Sequence, residues 1–253
     1  MFGFLKSIFS SKKKRQQVTV SATLIANNEI NPAREMLKEA TALKKEKRYD
    51  EACEKLKESF SLKGAGDLMV KERMRLPMYL QLANRNDEGW RILNELNIQY
   101  TDVFSQAEIA NQMRVFLQKE KKYTQALLFS AWSICKEVER DRENIQGSID
   151  LADQWASNKD GFGFLSEGKK EKVYGKTSKG NPIIDSAYKT FSDRIADSIS
   201  IEGVKGRIQP LLKKAKKEEL LDTFSDSISK YLKLSESYDL TEVRDIISGI
   251  VDK

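Results

Sequence analysis

Three short segments of the chain repeat one pattern at a fixed interval. Lys47-Arg48-Tyr49-Asp50-Glu51-Ala52, Asn84-Arg85-Asn86-Asp87-Glu88-Gly89 and Lys121-Lys122-Tyr123-Thr124-Gln125-Ala126 each run from polar residues into a small one. The small residues stand at 52, 89 and 126, so both intervals are 37 residues. A fixed period of this size marks a supersecondary unit that cannot bury its apolar face alone and must stack on its neighbours. Two antiparallel helices approach closely only where a side chain is small, which accounts for Ala52, Gly89 and Ala126. Glycine inside a helix costs about 1 kcal/mol relative to alanine, so Gly89 predicts a particularly close crossing.

The flanking residues have helical spacing. Met36, Ala40 and Leu43 precede the first segment, and Leu56 and Phe60 follow it. Leu76 and Leu80 precede the second, with Leu93 and Leu96 after it. Met113 and Leu117 precede the third, with Leu127, Ala131 and Ile134 after it. With its tyrosine at the turn and small residue in the second helix, this arrangement resembles the tetratricopeptide-repeat (TPR) family over roughly residues 32–140. TPR units are about 34 residues long, so three extra residues would lengthen a helix or a turn. The chain departs from the family at Glu39 and Ser130, where large apolar residues are usual, and lacks the proline that conventionally follows each unit. Pro77 should kink its helix or shift the start.

Beyond the repeats, Ile145, Ile149, Ala152 and Trp155 predict one more helix over 141–156. Residues 157–181 carry five glycines among many lysines and read as a linker or loop. The Gly-Phe-Gly-Phe run at 161–164 lacks the spacing of a phosphate-binding loop. Residues 182–253 predict three or four amphipathic helices, either a cap on the repeats or a separate bundle. Pro210 suits the first turn of one. Asp239 with Glu242 caps the last, with Tyr238 and Val243 as a staple. The expected organisation is all-α. A basic amphipathic tail (1–17) leads a TPR-like helical-hairpin solenoid (18–156), then the Gly/Lys-rich linker (157–181) and a C-terminal helical segment (182–253).

Composition narrows the chemistry. Histidine is absent, which removes His-based acid–base catalysis, nucleophile activation and metal ligation. Cys53 and Cys135 fall inside helix patterns without a CxxC spacing and read as buried, reduced thiols. Trp90, Trp132 and Trp155 read as core residues. Neither a catalytic constellation nor a cofactor or metal site is expected. No apolar run approaches the roughly 20 residues of a membrane span. The net charge of +6 is uneven: residues 1–17 hold five basic groups and no acid, and residues 157–184 hold six lysines against three acids. The remainder is nearly neutral.

The TPR resemblance implies a concave groove lined by the first helix of each hairpin. Its positions here are Arg34, Lys38, Thr41 and Lys45; Lys71, Arg75, Met78 and Leu82; and Glu108, Gln112, Val115 and Lys119. Six of these are basic and one acidic, which favours a carboxylate-bearing peptide. The Asn-rich carboxylate clamp of chaperone-binding members is not reproduced. In the tail, Phe2, Leu5 and Phe9 share a helical stripe that Phe4 widens, and Lys12, Lys13, Lys14 and Arg15 follow. An apolar wedge beside a basic cluster suits an anionic membrane surface. The expected function is therefore a non-enzymatic, cytoplasmic protein–protein interaction scaffold, peripheral to a membrane. The alternative is a nucleic-acid-associated protein that uses the basic tail and the 157–181 loop.

Overall fold

The computed structural model describes residues 31–157 and 172–251. The tail residues Phe2, Phe4, Leu5, Phe9, Lys12, Lys13, Lys14 and Arg15 lie outside these, as do residues 158–171 of the expected linker. The described residues are overwhelmingly helical, so the chain is all-α. It divides into two compact units, Met1–Gln99 and Tyr100–Lys253.

In the first unit, α1 (Pro32–Lys45) starts where a proline at the first position needs no hydrogen bond. Asn31 caps it by accepting from the Ala33 amide at 3.0 Å. Ala33, Leu37 and Ala40, spaced i, i+4, i+7, are buried against α2 (Tyr49–Ser61). Ala52 and Leu56 are wholly buried in return, and Ser59 Oγ donates to the Ala33 carbonyl at 2.8 Å. After a short 3-10 turn come α3 (Val70–Arg73), α4 (Arg75–Leu82) and α5 (Asn86–Gln99). The helix is interrupted at Met74, so Pro77 falls in the first turn of α4, where its missing amide costs nothing. Helices α2, α4 and α5 pack in succession around Leu37, Leu56, Leu76, Tyr79 and Leu80.

The second unit opens with α6 (Val103–Lys119), capped by Asp102 accepting from the Ser105 amide at 2.8 Å. Next comes α7 (Tyr123–Ser157), 35 residues without a break and about 52 Å long at 1.5 Å per residue. The extra helix expected over 141–156 is thus the continuation of the third hairpin. Ten consecutive residues, Ala126–Cys135, are buried, because this stretch is enclosed on all sides. Helices α6, α8 (Ser186–Ser198), α9 (Ile201–Ala215) and α11 (Leu240–Val251) all pack on α7, and α10 (Leu221–Leu234) packs on α9 and α11.

Two sequence expectations need correction here. Residues 172–181 are not a plain linker. They enter a small antiparallel hairpin, β1 (Gly175–Lys176) and β2 (Pro182–Ile183), paired Gly175 to Ile183 and Lys176 to Pro182. Ile183 is wholly buried, and the Asp153 carboxylate on α7 accepts from Asn181 Nδ2 at 2.8 Å. Pro210 lies inside α9 instead of in its first turn. It and Gly206, whose carbonyl loses its usual donor, both face solvent, which leaves that carbonyl accessible to water.

All three hairpins close with the same turn. Lys47, Asn84 and Lys121 adopt the left-handed conformation at φ 62°, 60° and 59°. The following residue donates back across the turn: Arg48 N to Leu43 O, Arg85 N to Leu80 O and Lys122 N to Leu117 O, at 3.0, 2.8 and 2.9 Å. This bond runs to the fifth residue back, as in the Schellman closure. The 37-residue interval is therefore an interval of backbone conformation as well as of side chains. Arg48 grips Glu51, and Arg85 grips Glu88, at equivalent positions.

A different close approach joins α8 to α9. Ser200 caps α9, its Oγ accepting from the Gly203 amide at 2.9 Å and donating to the Asp197 carbonyl at 2.7 Å. A Cβ on Gly203 would lie 2.0 Å from that carbonyl oxygen.

Candidate protein-interaction face

In the first unit, α1 lies beside α3 and α4. Arg34 Nε sits 3.6 Å from Glu72 Oε1, and its Nη2 donates to the Asp67 carbonyl at 3.3 Å. Further along, Arg75 Nη1 donates to Thr41 Oγ1 at 3.4 Å, while Thr41 donates to the Leu37 carbonyl at 2.8 Å. The first helices of hairpins one and two thus meet through polar contacts, as a common face requires.

The expected groove residues differ in what they offer on that face. Lys38, Lys45 and Lys71 are exposed, and Lys38 pairs with Glu35 one turn away at 2.7 Å. Arg34 is exposed but engaged by Glu72, and Arg75 is half-buried. Met78 and Leu82 are half-buried and pack on the hydrophobic core, so they hold α4 down more than they greet a ligand. The acids Glu35, Asp67 and Glu72 were not among the expected residues. Each lies next to an expected cation in space, and only the Glu35–Lys38 pair, three residues apart on one helix, had a visible sequence signal.

In the second unit Gln112 must be corrected. It is 9% exposed and its Nε2 has no hydrogen-bond partner, so it is not on an open face. The buried arc of α6 is wide, running over Ala107, Ile109, Ala110, Met113, Phe116 and Leu117, and it takes in position 112. Glu108 and Val115 are half-buried, while Lys119 is exposed at the helix end.

A second ionic cluster of the first unit lies among α2 and the turn into α5. Arg85 Nη1 is 3.1 Å from Asp50 and 3.6 Å from Glu54, and Lys57 Nζ is 3.0 Å from Glu88. Burial disfavours the Glu88 carboxylate, but Lys57 and Arg85 outweigh it and hold its pKa below the usual range. This cluster fixes one hairpin on the other and leaves no cation unpaired for a ligand.

Both thiols are unpaired and buried. Burial pushes Cys53 up to about 11 and Cys135 higher still, so neither supplies a thiolate at neutral pH. Trp132 is buried, and Trp90 and Trp155 are half-buried. Among the described residues, no helix is long and apolar enough to cross a membrane.

No protein family matches the chain, and neither a curated protein nor a solved structure is similar to it.

Proposed function

We propose that the chain is a non-enzymatic, TPR-like interaction scaffold of the cytoplasm that takes an extended, carboxylate-bearing segment along α1 and α3. The observation that carries this reading is the polar seam joining the first helices of two identically turned hairpins. On these helices Lys38, Lys45 and Lys71 are exposed. Lysines placed this way act as mobile point charges, suited to a run of Asp or Glu side chains and less suited to a single bidentate carboxylate. Two unpaired buried thiols fit a reducing compartment.

The test is fluorescence anisotropy of a labelled Glu-rich peptide with the full chain and with the double variant Lys38→Glu, Lys71→Glu. Exposed pairs contribute about 0.2–1 kcal/mol each, and reversal adds repulsion, so affinity should fall about tenfold and wild-type binding should weaken with salt. Equal affinity of the two proteins would sink the proposal.

A further inference from the structure

At one end of the second unit the fold collects lysines that are far apart in sequence. Helix α9 runs antiparallel to α7. Arg207 Nη1 meets Glu137 Oε2 at 2.7 Å, and seven residues later Lys214 Nζ stands 5.9 Å from the Tyr123 ring. Helix α6 is antiparallel to α7 as well, across the tight turn at 120–122. The C-terminal ends of α6 and α9 therefore arrive together beside the first turn of α7. Lys119, Lys121 and Lys122 from one, and Lys213, Lys214 and Lys216 from the other, are all exposed. Lys217 joins them, its Nζ donating to the Val251 carbonyl at 3.0 Å, which brings in the end of α11. The described acids beside them in the chain are Glu120, paired with Lys122 at 2.6 Å, and Glu218 and Glu219.

Cations at helix C-termini offset the helix dipole, but a helix end carries only about half a negative charge. The lysines exceed that need and the nearby carboxylates together. Their chemistry also narrows the partner. The arginines nearest this end are occupied, Arg207 by Glu137 and Arg114 by Asn111 at 2.7 Å, so no guanidinium fork is offered to one phosphate or carboxylate. The ends of α6 and α9 turn carbonyls outward. Tyr123 is half-buried beneath Lys214 and gives no open ring for base stacking. An acidic peptide here would bridge the ends of three separate helices instead of running along one, and would gain only screened, exposed ion pairs. A charged plane needs none of these features, because lysines near its surface add their attractions independently.

We infer that this lysine end is a docking surface for an anionic lipid bilayer. It belongs to the other unit from the α1/α3 face and shares no residue with it, so the two readings succeed or fail separately. Each lysine near an anionic bilayer contributes about a fivefold gain in partitioning. The three changes Lys119→Gln, Lys213→Gln and Lys214→Gln together should lower it about a hundredfold.

The experiment is co-sedimentation of the full chain with phosphatidylserine–phosphatidylcholine vesicles and with pure phosphatidylcholine vesicles, at low and high salt. The expected result is salt-sensitive binding to the anionic vesicles only, lost in the triple variant, with unchanged thermal melting. The triple change should cause the same loss in a background where Lys12, Lys13, Lys14 and Arg15 are all glutamine, which separates this surface from the tail. Three results would overturn the inference. One is triple-variant sedimentation equal to wild type. Another is no wild-type sedimentation with anionic vesicles at low salt. The third is retention on duplex DNA that responds to the triple change while vesicle binding does not.

Discussion

Alanine at Gly203 and alanine at Gly206 should move stability in opposite directions, although both glycines lie in α9 one turn apart. At Gly203 the new Cβ would sit 2.0 Å from the Asp197 carbonyl oxygen and 2.8 Å from its carbon. A carbon–oxygen contact normally lies at about 3.3 Å or more, so the α8–α9 corner must open by over an ångström. That corner is pinned by both hydrogen bonds of Ser200 Oγ and by Ser229 Oγ, which donates to the Ile199 carbonyl at 2.6 Å. Overpacking costs about 1–3 kcal/mol, and rigid backbone on both sides argues for the upper end. Alanine's helix propensity returns about 1 kcal/mol, leaving a net loss of about 2 kcal/mol. At Gly206 nothing lies within 4 Å of the new Cβ, so only the propensity gain of about 1 kcal/mol remains. At about 2–4 °C per kcal/mol for a chain of this size, Gly203→Ala should melt about 4–8 °C below wild type and Gly206→Ala about 2–4 °C above it. Thermal melts followed by circular dichroism read both. A Gly203→Ala protein melting at or above wild type would refute the close-approach reasoning.

Three further outcomes follow from the same structure. Hydrogen bonds from Asn181 and Thr177, and the Lys179 ammonium, hold the Asp153 pKa at about 2. An unfolded aspartate titrates near 3.9, so the stabilisation is complete above about pH 4 and is lost as pH falls through about 2. Amide exchange in the 175–183 hairpin should accelerate across that window in wild type but not in Asp153→Asn, and identical acid profiles would contradict the assignment. Lys47→Gly and Lys121→Gly should each stabilise by about 0.5 kcal/mol in urea titrations, since left-handed strain of about 1–2 kcal/mol exceeds glycine's entropic cost of about 0.5–1 kcal/mol; a fall in either midpoint would count against the turn assignment. Cys53 and Cys135 should resist thiol-specific dyes at neutral pH until denaturant unfolds the chain, and rapid native labelling would contradict their burial.

Much of the helical framework was legible because helices and hairpin turns are written locally. The 37-residue interval located all three turns, and Asp239 was correctly placed as the cap of α11: it accepts from Thr241 N at 2.7 Å. What escaped depends on distant partners. The hairpin at 175–183 looked like linker because glycine and lysine dominate it, and its order derives from Asp153, more than 20 residues earlier in the chain. Gln112 met the helical spacing for a groove, but spacing does not tell how wide an arc of α6 is covered. Arg34 and Arg75 looked available because Glu72 and Thr41 lie over 30 residues away. The lysine end was invisible for the same reason: each run alone reads as a solvated helix terminus.

The uninterrupted α7 carries a consequence for modularity. It is at once the second arm of the third hairpin and the seat of α8, α9 and α11. Repeat units are often treated as interchangeable bricks, but this one cannot be excised. A fragment ending at Ser157 would strip from α7 the three helices, α8, α9 and α11, that pack on it. Such a fragment would be sticky in solution. The third hairpin can therefore be traded, duplicated or borrowed only together with the helices that follow it.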